Sequence, residues 1–225
     1  MFEGFPQEMI GFLLSIRFNN STAYFQEHRA EYERYVKRPL YALCEALTPV
    51  IQEIDPELDT RPSGVCSRLR RDTRFSRDKS PYRDHVWISF RRPEEERGRA
   101  PSFFVEVGVD GVFFGMGAYA PERARMNAVR RHLRLVPDEA AALLMPLEGD
   151  FALHGDAYKR LAVPDGLPEA LIPLYRLKSY YWERSLPFAR ALSPRLAEEV
   201  GAGLTRLGPL YSFLTSCIPE EEDFQ

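Results

Sequence analysis

Apolar side chains recur every three to four residues over the first quarter of the chain and every second residue near the middle, so the pattern changes from helix to strand. Met9, Phe12, Leu13 and Ile16 space as one helical face, and Asn19-Asn20-Ser21-Thr22 stops that helix and caps the next. Tyr24, Phe25, His28, Tyr32, Tyr35 and Val36 then form an aromatic face up to Arg38, where Pro39 must kink the helix or restart it. Leu40, Leu43, Leu47, Val50, Ile51 and Ile54 continue the stripe. The pattern predicts a helical N-terminal part over about 8–55, ended by Pro56, Pro62 and Gly64.

From His85 to Arg91, Val86, Ile88 and Phe90 alternate with Trp87 and Ser89, the mark of a strand with one face on a core. RPEEERGRAP reads as a solvated loop before a second strand, Ser102 to Val109. Asp110-Gly111 between alternating apolar residues signals a two-residue hairpin turn, pairing Val109 with Val112, Val107 with Phe114 and Val105 with Met116 on the core face. The opposite face carries Phe104, Glu106, Gly108, Phe113, Gly115 and Gly117. Glycine inside a strand marks close approach of a ligand or another backbone, or lies under a covering ring.

Pro121-Glu122 opens a helix to about Leu133, and Pro137 opens another to Leu144. Phe151 to Leu153 and Tyr175 to Trp182 read as strands. Pro194 to about Leu214 reads as a helix weakened by Gly201 and Gly203, and the tail 219–225 as frayed. Helices, then strands, then helices predict one domain over 1–225. The fold class is α+β, with a twisted, largely antiparallel sheet covered by N-terminal and C-terminal helices: a hairpin core at 86–117, then helices and strands over 121–215.

Composition narrows the chemistry. The net charge is −3, which gives the surface as a whole no reason to bind nucleic acid or an anionic membrane. The 3 cysteines are far apart, no run reaches the length of a membrane span, and the N-terminus lacks the basic start of a signal peptide. These features point to a reducing, cytoplasmic setting. Arginine supplies 26 of the 30 basic residues, and its fork suits carboxylate or phosphate.

Against that acidic background, Arg68 to His85 holds seven Arg or Lys and three Asp. A long connection with so many specific residue types reads as functional, or else as a loop pinned by its own ion pairs. The string RDTRFSRDKSPYR, residues 71–83, resembles the RDTRFSKDKSPYK signature of a large uncharacterised family, domain of unknown function 2461. The leading helix with Asn19-Asn20 and Phe25, Gly115-x-Gly117-x-Tyr119, Val129-Arg130 and Leu177-Lys178-Ser179 agree in order and spacing. The resemblance implies a cytoplasmic α+β domain and carries no activity with it. Arg77 and Arg83 stand where that signature has lysine.

Three enzymatic patterns are present in weak form. Ser76-x-x-Lys79 has the nucleophile and base spacing of penicillin-binding enzymes, but Asp78-Lys79-Ser80-Pro81 disfavours a helix there. Gly115-Met116-Gly117 before a helix has the form of a phosphate cradle without the further glycine or lysine of the known loops. His28, His85, His132 and His154 lie far apart, so a metal site would need tertiary contact such as His85 with Glu106.

The expected function is binding of a small anionic or phosphorylated ligand at the signature loop. Arg71, Arg74 and Lys79 would supply charge, Asp72 and Asp78 would orient the cations, and Ser76 and Tyr82 would offer hydroxyls. Glu106 would be the general base if a reaction occurs, and no cofactor is legible. Arg130, beside Arg123, Arg125 and Arg131, and Lys178 would join the pocket if their elements lie beside the loop; otherwise the helix arginines form a solvated face. The alternative is an interaction module that docks nucleic acid or an acidic protein through the same loop, with Phe75 and Tyr82 either stacking bases or plugging the core.

Overall fold

The computed structural model describes residues 1–74 and 77–224. They form two compact units: Met1–Phe90 with Phe104–Phe114 and Ser185–Ala202, and Arg91–Phe103 with Gly115–Arg184 and the chain from Gly203 onward. The five strands, β1 (His85–Phe90), β2 (Ser102–Gly108), β3 (Gly111–Ala118), β4 (Ala152–His154) and β5 (Tyr180–Leu186), make one antiparallel sheet of order β1-β2-β3-β5-β4. With helices at both ends of the chain, the fold is α+β.

The first unit begins with α1 (Glu8–Phe18), α2 (Thr22–Glu27) and α3 (Arg29–Glu31). A π-helical turn over Tyr32–Lys37, α4 (Arg38–Ile54) and α5 (Pro62–Val65) complete its helices. Ser21 caps α2 by accepting from the Tyr24 N–H, as the Asn-Asn-Ser-Thr cluster predicts. Pro39 restarts the helix and also reshapes the turn before it. Proline has no N–H for the Tyr35 carbonyl and its ring crowds that carbonyl, so the ladder lengthens its step. Arg38 N–H accordingly donates to Glu33 O, five residues back. Met9, Leu13, Ile16, Leu43, Leu47 and Ile51 from the helices, and Val86, Ile88 and Phe90 from β1, are fully buried. Removing each such side chain from water is worth about 2 kcal/mol.

The hairpin turn falls one place earlier than its sequence suggests. β2 ends at Gly108 and β3 starts at Gly111, so the turn residues are Val109 and Asp110. Gly111 is spent elsewhere: it takes φ +135°, and any side chain there would meet the Leu186 carbonyl. The expected core face survives, because Phe103, Val105, Val107, Val112, Phe114 and Met116 are all buried. On the other face a side chain at Gly115 would run into the Trp182 carbonyl, and one at Gly117 into Tyr180 and Tyr181. The close approach is therefore backbone on backbone, and the glycine pair lies within β3 with no helix starting from it.

In the second unit, α6 (Arg123–Leu135) and α7 (Pro137–Leu144) follow the expected pattern. Tyr175 to Trp182 does not form one strand. Pro173 sits in the first turn of α8 (Ile172–Arg176), and β5 starts only at Tyr180. The last helix, α9 (Leu196–Ser216), contributes residues to both units. The tail, expected to fray, is docked through Asp223. Asp223 is buried and accepts from Arg131 and from the Glu220 N–H, and Asn127 Nδ2 donates to the Asp223 carbonyl at 2.9 Å.

Candidate anion-binding cavity

Two stretches build a cavity in the first unit. One is extended: Cys66 to Arg71 pairs with Pro81 to Ile88 as a ribbon around the signature loop. Ser67 N–H donates to Trp87 O and Trp87 N–H returns to Ser67 Oγ, both at 2.8 Å. Arg71 N–H donates to Pro81 O at 2.8 Å and Arg83 N–H to Leu69 O at 2.9 Å. An extended chain alternates its sides. Ser67 and Leu69 are buried and Arg68 and Arg70 are exposed, and all four border the hollow.

The other stretch is helical, from Phe25 through the π-helical turn to Tyr41. Between the two lies a half-open hollow of about 380 Å³, lined by Phe25, Tyr32, Tyr41, Arg29, Arg68 and Arg70 among others. The lengthened turn brings Tyr32, Glu33, Lys37 and Tyr41 to one side of the cavity, a setting in which π-helical turns are often found at functional sites.

Tyr82 forms part of the wall. Its backbone is held by one side chain: Asn20 Nδ2 donates to Tyr82 O at 2.8 Å, and Asn20 Oδ1 accepts the Tyr82 N–H at 2.9 Å. That double bond imitates a neighbouring strand and fixes the Tyr82 ring, 2% exposed, against Phe25 with centroids 4.3 Å apart. Phe25 in turn leans on Tyr32 at 5.4 Å.

The electrostatics of the lining are one-sided. Lys37 is neutralised by Glu33, its Nζ lying 3.0 Å from both carboxylate oxygens. Arg29, Arg68 and Arg70 make no side-chain hydrogen bond or ion pair with the described residues. Four cations against one carboxylate leave a surplus of three positive charges. The uncharged donors keep their protons. Burial pushes the Tyr32 phenol up to about 12, with the Leu69 backbone acting the other way. The Cys44 thiol alongside and burial push the Cys66 thiol far up. The cavity therefore presents guanidiniums and neutral donors, and no thiolate at neutral pH.

The signature loop is different. Arg71 Nη1 lies 2.5 Å from Asp78, and Arg74 grips Asp72 with Nη2 at 2.8 Å and Nε at 3.1 Å. Lys79 Nζ donates to Thr73 O at 2.9 Å, and Arg83 donates to Arg70 O at 2.9 Å while its guanidinium covers Trp87 at 4.8 Å. Asp72 also accepts the Arg74 N–H, and this clasp holds its carboxyl down at about 2. Ser80, more than Arg71, lowers Asp78. The aspartates thus clasp their cations within the loop, where ligand contact was expected. Arg77 alone of the loop cations has no partner among the described residues, and Phe75 and Ser76 lie outside them, so the Ser76-Lys79 pattern does too.

The remaining expected residues do not line the cavity. Glu106 is half-buried on β2, and burial raises its carboxyl while His85 lowers it. His85 Nδ1 is 3.0 Å from Asp84, which accepts from Arg17 Nε at 2.5 Å. Arg130 and Lys178 belong to the second unit, where both face the Tyr158 ring, at 5.2 and 5.0 Å. Arg130 is 6% exposed and donates to the carbonyls of Tyr175 and Leu177 at 2.9 and 2.5 Å. Arg125 pairs with Glu95, and Arg131 with Glu220, Glu222 and Asp223. Those three helix arginines are engaged within their own unit, and of the four expected to form a solvated face only Arg123 is exposed. Among the described residues no group of three His, Cys, Asp or Glu could hold a metal ion, and no helix is long and apolar enough to cross a membrane.

Arg29, Arg68 and Arg70 were the residues the sequence pattern did not single out. The alternation Ser67-Arg68-Leu69-Arg70 carried the signal, but four residues are too few to separate a strand from a loop. Arg29 has the helical spacing of Phe25 and Tyr32, where the aromatic periodicity masks a single charge.

The family model described as "Conserved hypothetical protein (DUF2461)" matches residues 8–213, so the chain belongs to that family. No curated protein matches the chain.

Proposed function

We propose that the first unit binds a small anionic or phosphorylated ligand in the cavity between the Phe25–Tyr41 helical segment and the Cys66–Arg70 strand. The observation that carries this reading is the surplus of three guanidiniums, those of Arg29, Arg68 and Arg70, with no carboxylate to meet them among the described residues. Like charges around one hollow repel, and an anion that accepts from two or three of them relieves the repulsion. Tyr32, protonated across the physiological range, adds an uncharged donor. The signature loop serves the site indirectly. Its internal ion pairs hold the ribbon whose stem presents Arg68 and Arg70, and its Tyr82 backs the aromatic wall.

Calorimetric titration of inorganic phosphate into the wild type and an Arg68→Ala/Arg70→Ala variant tests the reading. The wild type is expected to bind, and the variant to bind at least about tenfold more weakly, the worth of one charge-assisted contact. Equal affinity for the two proteins would remove the cavity from consideration. An oligonucleotide that binds more tightly than phosphate, with affinity falling steeply as salt rises, would favour the docking alternative.

A further inference from the structure

Resting on the anion-binding reading, we infer that the ligand is an organic phosphate with a flat, ring-bearing body, of the nucleoside monophosphate class. Size is the first argument. The hollow measures about 380 Å³. An inorganic phosphate would fill a small part of that and leave most of the lining wet. The volume falls in the range of roughly 300–1,000 Å³ common to sites for larger organic ligands.

The mixed lining is the second argument. The extended stretch contributes Arg68 and Arg70, and the helical stretch contributes Arg29 together with Phe25, Tyr32 and Tyr41, rings that are each only partly covered by the protein. Unpaired cations and partly exposed rings around one hollow match a molecule with an anionic end and a flat apolar body, because ring faces stack on ring faces while guanidiniums fork onto phosphate. A sugar phosphate would supply the charge and leave the ring surface beyond the Phe25 contacts with Tyr82 and Tyr32 unused. A free aromatic would supply the stacking and leave the three cations without a counter-charge.

The test is a calorimetric comparison of four probes, adenosine 5′-monophosphate, ribose 5-phosphate, inorganic phosphate and adenosine, on the wild type, Tyr41→Leu and Arg68→Ala/Arg70→Ala. Adenosine monophosphate is expected to bind at least about tenfold more tightly than ribose 5-phosphate. That advantage should shrink to about threefold or less in Tyr41→Leu, while the affinity for inorganic phosphate stays the same. If ribose 5-phosphate matches adenosine monophosphate on the wild type, the ring-bearing class is refuted and the anion site stands. If none of the three phosphates binds, the anion site itself is refuted, and the ring inference with it. If adenosine alone binds as tightly as its monophosphate, the guanidiniums have no part in recognition and both readings fail.

Discussion

Arg68 and Arg70 stand next to Arg71 and Arg74 in the chain, yet the two pairs live in opposite electrostatic surroundings. Arg71 and Arg74 find carboxylates within their own loop, at Asp78 and Asp72, while Arg68 and Arg70 have no partner among the described residues and line a hollow. The difference comes from backbone geometry. In the irregular loop an aspartate two residues before an arginine folds back onto both its amide and its guanidinium. In the ribbon, alternation separates Arg68 and Arg70 from the buried Leu69, and the one acid of the paired arm, Asp84, is already taken by Arg17 and His85. A dense run of positive charge therefore does not by itself mark unneutralised charge. On the proposed reading, the cations that hold an anion are those the local backbone keeps from being neutralised.

Four measurements would break or sharpen this contrast. The largest effect belongs to an arginine of a third kind. Replacing Arg130 by Ala leaves the buried carbonyls of Tyr175 and Leu177 without their donor, at about 1–3 kcal/mol for each orphaned group. Urea unfolding should show a loss of about 3 kcal/mol, and a loss under about 1 kcal/mol would mean that water replaces the guanidinium.

Arg29→Ala comes next. It should weaken phosphate binding about tenfold while the melting temperature stays level or rises, since a repelled charge is removed and no bonded partner is lost. A clear fall in melting temperature would show that Arg29 is spent on the fold.

The third is alkaline. Because burial lifts the Tyr32 phenol to about 12 from an ordinary 10, the folded protein retains a proton that the unfolded chain releases. Stability contributed by Tyr32 is full below about pH 10 and is lost as pH rises through about 12. The alkaline limb of Tyr32→Phe should be flatter than that of the wild type, and superimposable limbs would refute the assignment.

The smallest effect is expected from Asp72→Asn. The Asp72 carboxyl is depressed, so its contribution is present above the ordinary value of 3.8 and is lost as pH falls through about 2. A carboxyl resonance that titrates near 2 and disappears in Asp72→Asn is expected, with phosphate affinity unchanged. An affinity that fell with this variant would return the loop cations to the binding site.

The sequence carried the periodicity of the helices and of β1, the α+β class, and the family through its 71–83 signature. These are local or compositional signals, and spacing alone encodes them. It also carried the presence of a turn between β2 and β3, but not its position, because the approach of Leu186 to Gly111 is a contact between distant parts of the chain. The tail was misread for the same reason: its acidic composition looks frayed until Arg131, about 90 residues earlier, meets Asp223.

What the sequence determined by itself was how much positive charge the region from Arg68 to Arg83 would hold, and that aspartates would be mixed into it. Only the tertiary structure decided which of those charges would be cancelled. Neutralisation depends on distances of about 3 Å between groups, and those distances are set by how the ribbon pairs and by how the loop at its end folds back on itself.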